Sequence, residues 1–415
     1  MVRFLEDNIG KIMSWANVLF LFLFSIHLFN FPDKFIILWC VFSIGVFWLQ
    51  YKKLCLDKMF WILALAIGLN GLGTYYYLAE NLSYTFGDII KLVVPTILVY
   101  PFMKQAVCDK NEADVLRIIM AIAIGTFVYS LLNYSAYLEH GFSYGSRIWV
   151  EFWTDYPMNA THHSYWGCFV VGLVGYAIYC IMQKKWLNVI VVTVFVAIEN
   201  YIQIVVDNRM VLCTTFVALV VAIILFLCLN RKDKKIMRNC IAIIIAVAVL
   251  VAIAFVFDVL GVRSSGYIQR FVTRDGGIIK NIRFQMIIEA IKMLPSHWKG
   301  GADMWAAGVY HVHNYWLQVA NVSGIIPFVL WMIVNISAIV DVVKLVKSAV
   351  ISQKIKLTLI PMLASIVGYL MMEPGGTEAN RYIIFYVILI ALLKQLANVD
   401  KPNVGEEDVQ VSSEI

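Results

Sequence analysis

The residue types that chemistry needs gather between Arg283 and Gly324. Arg283 opens an apolar-periodic stretch that Pro295 closes, Gly300-Gly301 follow, and His313-Asn314 begins the run Tyr-Trp-Leu-Gln-Val-Ala. A histidine in the first turn of a helix stays neutral beside the positive helix terminus, and a neutral imidazole can take a proton from a hydroxyl. Guanidinium forks fit phosphate oxygens two at a time. This combination suits a hydroxyl acceptor and an anionic, phosphate-bearing ligand. Three further arginines stand in polar breaks: Arg209 in Asp207-Asn208-Arg209-Met210, Arg147, and Arg381 after Glu373-Pro-Gly-Gly-Thr-Glu-Ala-Asn.

Each of these residues also has a plainer reading. Arg283 fits a snorkelling surface arginine, His313 a satisfied structural histidine, and Asp207 could neutralise Arg209 next door. His311 and the pair His162-His163 read more readily as structural. Glu199, Asp88 and Lys91 are the remaining charges at membrane depth, where ionisable groups mark function by default. Asp88 and Lys91, three residues apart, could satisfy each other.

The elements that must position these groups are hydrocarbon. Hydrophobic residues make up 61% of the 415 residues and charged residues 14%, against roughly 25% charged in soluble domains. Apolar runs long enough to cross a bilayer occur near 13-31, 34-50, 59-79, 87-105, 113-134, 163-182, 186-206, 209-229, 239-259, 322-346, 356-373 and 380-397. The expected fold is an all-α integral membrane protein of about twelve transmembrane helices. Every second connection is basic: Lys52, Lys53 and Lys58, then Lys104 and Lys110, Lys184 and Lys185, Arg231 to Arg238, and Lys344 to Lys356. The positive-inside rule puts those connections and both termini in the cytoplasm.

Two of the outward connections are long, 135-162 and 260-321. The second is expected to carry amphipathic helices between the ninth and tenth spans. Residues 281 to 294 form one such stretch, expected to lie in the membrane interface with Arg283 in its first turn. From 259 to 312 seven basic residues (Arg263, Arg270, Arg274, Lys280, Arg283, Lys292, Lys299) face three acidic ones (Asp275, Glu289, Asp303), a surplus of four. A phosphate or diphosphate would use that surface, and anionic lipid headgroups would fit it too. The first apolar run reads as an uncleaved helix. Residues 1-400 read as one polytopic membrane domain and 401-415 as a disordered cytoplasmic tail. The eight cysteines fall in apolar runs or cytoplasmic loops, which is no disulfide framework, and no zinc spacing occurs. No metal and no cofactor are expected.

At these residues the chain resembles the O-antigen ligase and O-antigen polymerase family of bacterial polysaccharide assembly. That family's pattern is an arginine opening a helix, a proline about a dozen residues on, a Gly-rich turn, then His followed by Asn, Ser or Gln, and a glycine some ten residues later. Arg283, Pro295, Gly300-Gly301, His313-Asn314 and Gly324 match it, and Arg209 looks like the family's second arginine. Pro327, Asn208 and Met210 depart from residues common in the family. The resemblance implies an inverting, metal-independent membrane glycosyltransferase in the inner membrane, with its active site on the outer face. It would take a polyprenyl-diphosphate-linked glycan as donor and lipid A-core or another glycan as acceptor, with membrane lipids but no nucleic acid as partners. In it His313 would act as base, Arg283 and Arg209 would hold the diphosphate, and Arg147, Arg381 and Asn314 would contact substrate. Length and the compact Arg283 to Gly324 block lean to ligase over polymerase. A lipid-linked-sugar flippase or transporter is the expectation from another class.

Overall fold

A computed structural model describes residues 2-30, 32-50, 56-82, 85-107, 111-144, 147-154, 156-235, 238, 256, 282-301, 312-373 and 380-398. The expected span 239-259, most of the basic stretch from 257 to 281, His311 and the tail lie outside them. So do the side chains of Asp88 and Arg381.

The described chain is a helical bundle: α1 (Val2–Ser25), α2 (Pro32–Gln50), α3 (Lys58–Leu82), α4 (Phe86–Ala106) and α5 (Glu112–His140), then a hairpin β1 (Ile148–Val150) and β2 (Pro157–Asn159). It continues as α6 (Ala160–Val171), α7 (Val174–Met182), α8 (Trp186–Val205), α9 (Met210–Leu229), α10 (Ile282–Met293), α11 (Tyr315–Ser323), α12 (Ile325–Lys347), α13 (Gln353–Met372) and α14 (Asn380–Ala397). Among the described residues, seven stretches are long and apolar enough to cross a membrane: Lys58–Tyr76, Glu112–His140, Ala160–Met182, Trp186–Val205, Met210–Leu229, Ile325–Lys347 and Gln353–Met372. The chain is a multi-pass helical membrane protein.

Four boundaries differ from the sequence reading. α1 covers Val2–Ser25, where the first apolar run is 13-31. α5 runs on to His140, because Gly141 at φ +60° supplies its stop, so the connection is 141-159. The run 163-182 is two helices, α6 and α7, parted at Gly172-Leu173. A Cβ on Gly172 would lie 2.7 Å from the Met362 backbone, so this break is where α6 meets α13 closely. The apolar run after His313 does not continue into the next span: Gly324, at φ +89°, ends α11, and α12 starts one residue later.

α14 is enclosed on every side from Ile383 to Leu393, packed between α4, α12 and α13. α9 is more apolar still, yet only about a third of it is buried. Phe216, Leu219 and Ile224 point out of the protein, as lipid-facing side chains do.

Candidate functional site

The arginine, the histidine and a carboxylate from three separate segments meet at one end of the bundle. Glu373 follows the last turn of α13, its backbone N–H donating to Tyr369 O at 3.0 Å. Its carboxylate is 3% exposed. Arg283 Nη1 lies 2.7 Å from Glu373 Oε1, and His313 Nδ1 lies 3.2 Å from Oε2. A carboxylate accepts and does not donate, so Nδ1 carries a hydrogen, and in the neutral form of the ring the lone pair is on Nε2. The His313 side chain is a quarter exposed and that of Arg283 two-fifths, so both can reach a ligand from outside.

Local chemistry explains why His313 sits there. It is not in the first turn of α11 but just before the cap. Asn314, extended at φ −163°, is the N-cap, and its Oδ1 accepts from Leu317 N at 3.0 Å. Asn314 Nδ2 donates to Met371 O at 3.1 Å, which pins the start of α11 to the end of α13 two residues before Glu373. Gln318 Oε1 accepts from Val312 N at 2.9 Å, fixing the residue on the other side of His313. Asn314, expected on substrate, is used by the protein itself.

Arg283 is set by the glycines. Among the described residues, Arg283 is the second of α10, Ile282–Met293. Ala290 on α10 and Val312 are buried together, with Ile287, Met293 and Leu317 around them. Beyond α10, Gly301 N donates to Asn321 O and Ile325 N donates to Trp298 O, both at 2.8 Å. The two backbones touch here: a Cβ on Gly300 would lie 2.6 Å from Gly324 N, and one on Gly324 would lie 2.7 Å from Lys299 O. Gly300, Gly301 and Gly324 all have positive φ, which favours glycine. The Gly-Gly turn thus docks on the α11–α12 junction and ties the arginine helix to the histidine helix.

Arg209 precedes α9 at the same end. Asn208 beside it is buried, hydrogen-bonds Ala160 O through Nδ2, and takes Met210 N onto Oδ1 at 2.8 Å. Tyr369 Oη donates to Thr161 O at 2.9 Å, so the first turn of α6 joins the Arg209 turn to the helix that ends in Glu373. Arg147 lies at the base of the hairpin, half-buried at φ +68°, its carbonyl accepting from Ala160 N at 3.0 Å. Arg381 opens α14. The structure therefore brings Arg283 and His313 together on Glu373, with Asn314 holding the adjoining cap, and sets the Arg209 turn and Arg147 against Ala160 at the start of α6. Sequence reasoning missed Glu373. Its signal is an acid closing an apolar span on the side where the basic residues gather.

Among the described residues, no group of three or more His, Cys, Asp or Glu side chains is placed to hold a metal ion. What the site offers is a base with a carboxylate behind it and a guanidinium alongside. That suits proton removal from a hydroxyl next to a developing negative charge. No family model and no curated protein matches this sequence.

Proposed function

We propose that this protein is a membrane glycosyltransferase that moves a glycan from a polyprenyl-diphosphate donor to an acceptor hydroxyl. The observation that supports it most is the Glu373 carboxylate shared between Arg283 and His313. His313 Nε2 accepts the proton of the attacking hydroxyl, and Glu373 stabilises the imidazolium that forms. The acceptor oxygen bonds to the anomeric carbon as the bond from that carbon to the phosphate oxygen breaks. The electron pair stays with the diphosphate, and the configuration inverts. Arg283, paired with Glu373, stabilises the leaving diphosphate, with Arg209 as the second cation. Glu373 and Asn314 are positioning residues, and Arg147 and Arg381 contact the glycan or its phosphates.

The basic loops support a reading with this end of the bundle outside a bacterial inner membrane and both termini in the cytoplasm. O-antigen ligase, joining O-antigen to lipid A-core, is the preferred activity. Purified protein incubated with a polyprenyl-diphosphate-linked oligosaccharide, with and without lipid A-core, tests it on a gel. The ligase gives a single shifted band that needs the core and vanishes in His313→Ala. A ladder from donor alone assigns a polymerase. Movement of lipid-linked sugar across vesicles by a protein inert in both assays would replace the enzyme reading with transport.

A further inference from the structure

A second buried carboxylate lies inside the bundle, on a different set of helices from Glu373. Glu199 on α8 is fully buried, as are Gln203 one turn later, His163 on α6 and Ser130 on α5. Gln203 Nε2 donates to Glu199 Oε1 at 2.8 Å and to His163 Nδ1 at 2.9 Å. Because Nδ1 accepts, His163 Nε2 carries the ring hydrogen; it lies 3.2 Å from Ser130 Oγ and 3.3 Å from Ser130 O. The imidazole is therefore neutral and supplies no charge.

Two oxygens are left over. Glu199 Oε2 and Gln203 Oε1 are buried and have no hydrogen-bond partner. Both are acceptors, on successive turns of one helix, so neither can satisfy the other as they stand. The packing around them is specific: a Cβ on Gly167 of α6 would lie 2.5 Å from Glu199 Oε1, so only glycine leaves the carboxylate its place. The titratable groups facing Glu199 are His163 and the Cys168 thiol, both on α6. The Ser130 hydroxyl on α5 is a second hydrogen-bonding group against the Glu199 carboxylate, and Thr214 on α9 lies against the Cys168 sulfur at 3.4 Å. Among the described residues no basic side chain forms an ion pair with Glu199. A carboxylate inside a bilayer with no positive charge beside it is costly.

We propose that Glu199 and Gln203 form a binding site for one small monovalent cation, a proton or a sodium ion, held between Glu199 Oε2 and Gln203 Oε1. A proton on Oε2 would turn an acceptor into a donor and remove the charge. A sodium ion would take the same two oxygens as hard ligands. The site stands independently of the proposed glycosyl transfer.

The test uses the purified full-length protein in lipid nanodiscs, comparing wild type with Glu199→Gln, which keeps the shape and removes the acid. For a bound proton, the infrared difference spectrum holds a protonated-carboxyl band that the variant lacks. Melting is then the same in sodium chloride and choline chloride, and the variant melts within about 3 °C of wild type. For bound sodium, wild type melts several degrees higher in sodium chloride than in choline chloride, and the variant loses that increment. A Glu199 carboxylate band with no sodium response, the result for a water bridging the two oxygens, would overturn the proposal.

Discussion

The bundle holds a buried carboxylate with two basic partners at each end, and the two differ in what those partners are. Asp341 on α12 has Lys394 Nζ at 2.9 Å and Lys344 Nζ at 3.4 Å. Lys394 also reaches Ser337 Oγ at 3.2 Å. Glu373, at the far end of α13, has Arg283 and His313. Both carboxylates are 3% exposed, so burial does not separate them. Charge does. Asp341 faces two permanent cations and carries a surplus of one positive charge. Glu373 faces one permanent cation and an imidazole, so it is balanced while the ring is neutral. When His313 takes a proton, the Glu373 end reaches the same surplus that the Asp341 end holds at rest. The lysine end is a clamp already filled, and the histidine end has room for one more charge. A base needs that room.

The sharpest way to break this comparison is to remove the imidazole. His313→Ala is expected to lower turnover by roughly 10²- to 10⁴-fold, whereas Asp341→Asn keeps turnover within about twofold and lowers the melting temperature. Equal loss of turnover in both variants would erase the distinction. Glu373→Gln comes next. It keeps the shape, takes away the charge that stabilises the imidazolium, and is expected to cost on the order of 10²-fold in turnover.

Backbone placement should matter less. Gly324→Ala puts a Cβ against Lys299 O at a left-handed φ, at an expected cost of about 1 to 3 kcal/mol. Turnover and melting temperature should fall together. A Cβ on Gly45 of α2 would meet nothing within 4 Å, and Gly45→Ala is the matched control, expected to be neutral or slightly stabilising.

The smallest effect concerns Asp57, beside the lysine-clamped end. Burial pushes its carboxyl up, but Lys104 at 2.7 Å, the Phe60 N–H and Tyr100 outweigh it and hold the group below the usual carboxylate range. A depressed value means stability that is present above the unfolded value, about 3.9, and lost as pH falls through the folded one. Wild type should lose slightly more melting temperature than Asp57→Asn on acidification below about pH 4.

The helices were legible in the apolar runs, because crossing a bilayer demands length and hydropathy whatever the packing. Burial was not legible. α9 has no charged residue and α14 carries Arg381 and Lys394, yet it is α9 that faces lipid and α14 that is enclosed, since hydrocarbon outside is as acceptable as side chains inside. Arg283 and His313 were legible from spacing and from the glycines between them. The meaning of those glycines was not: Gly300 and Gly324 pack backbone against backbone over a sequence gap that no local pattern records. Asn314 read as a substrate contact because its amide groups do not announce that a cap and a neighbouring carbonyl will use both. Glu373 read as a loop acid because its partners lie 60 and 90 residues earlier.

That last separation bears on how the protein is made. Ninety residues lie between Arg283 and its carboxylate, so at a translation rate of about 5 to 20 residues per second the arginine exists for roughly 5 to 20 s before Glu373 is added. A chain that ends between residues 313 and 373 contains Arg283 and His313 and lacks the group that joins them. The Arg283–Glu373–His313 cluster is thus completed only once Glu373, after α13, has been added, and under the proposed transfer a nascent chain would stay inert until then.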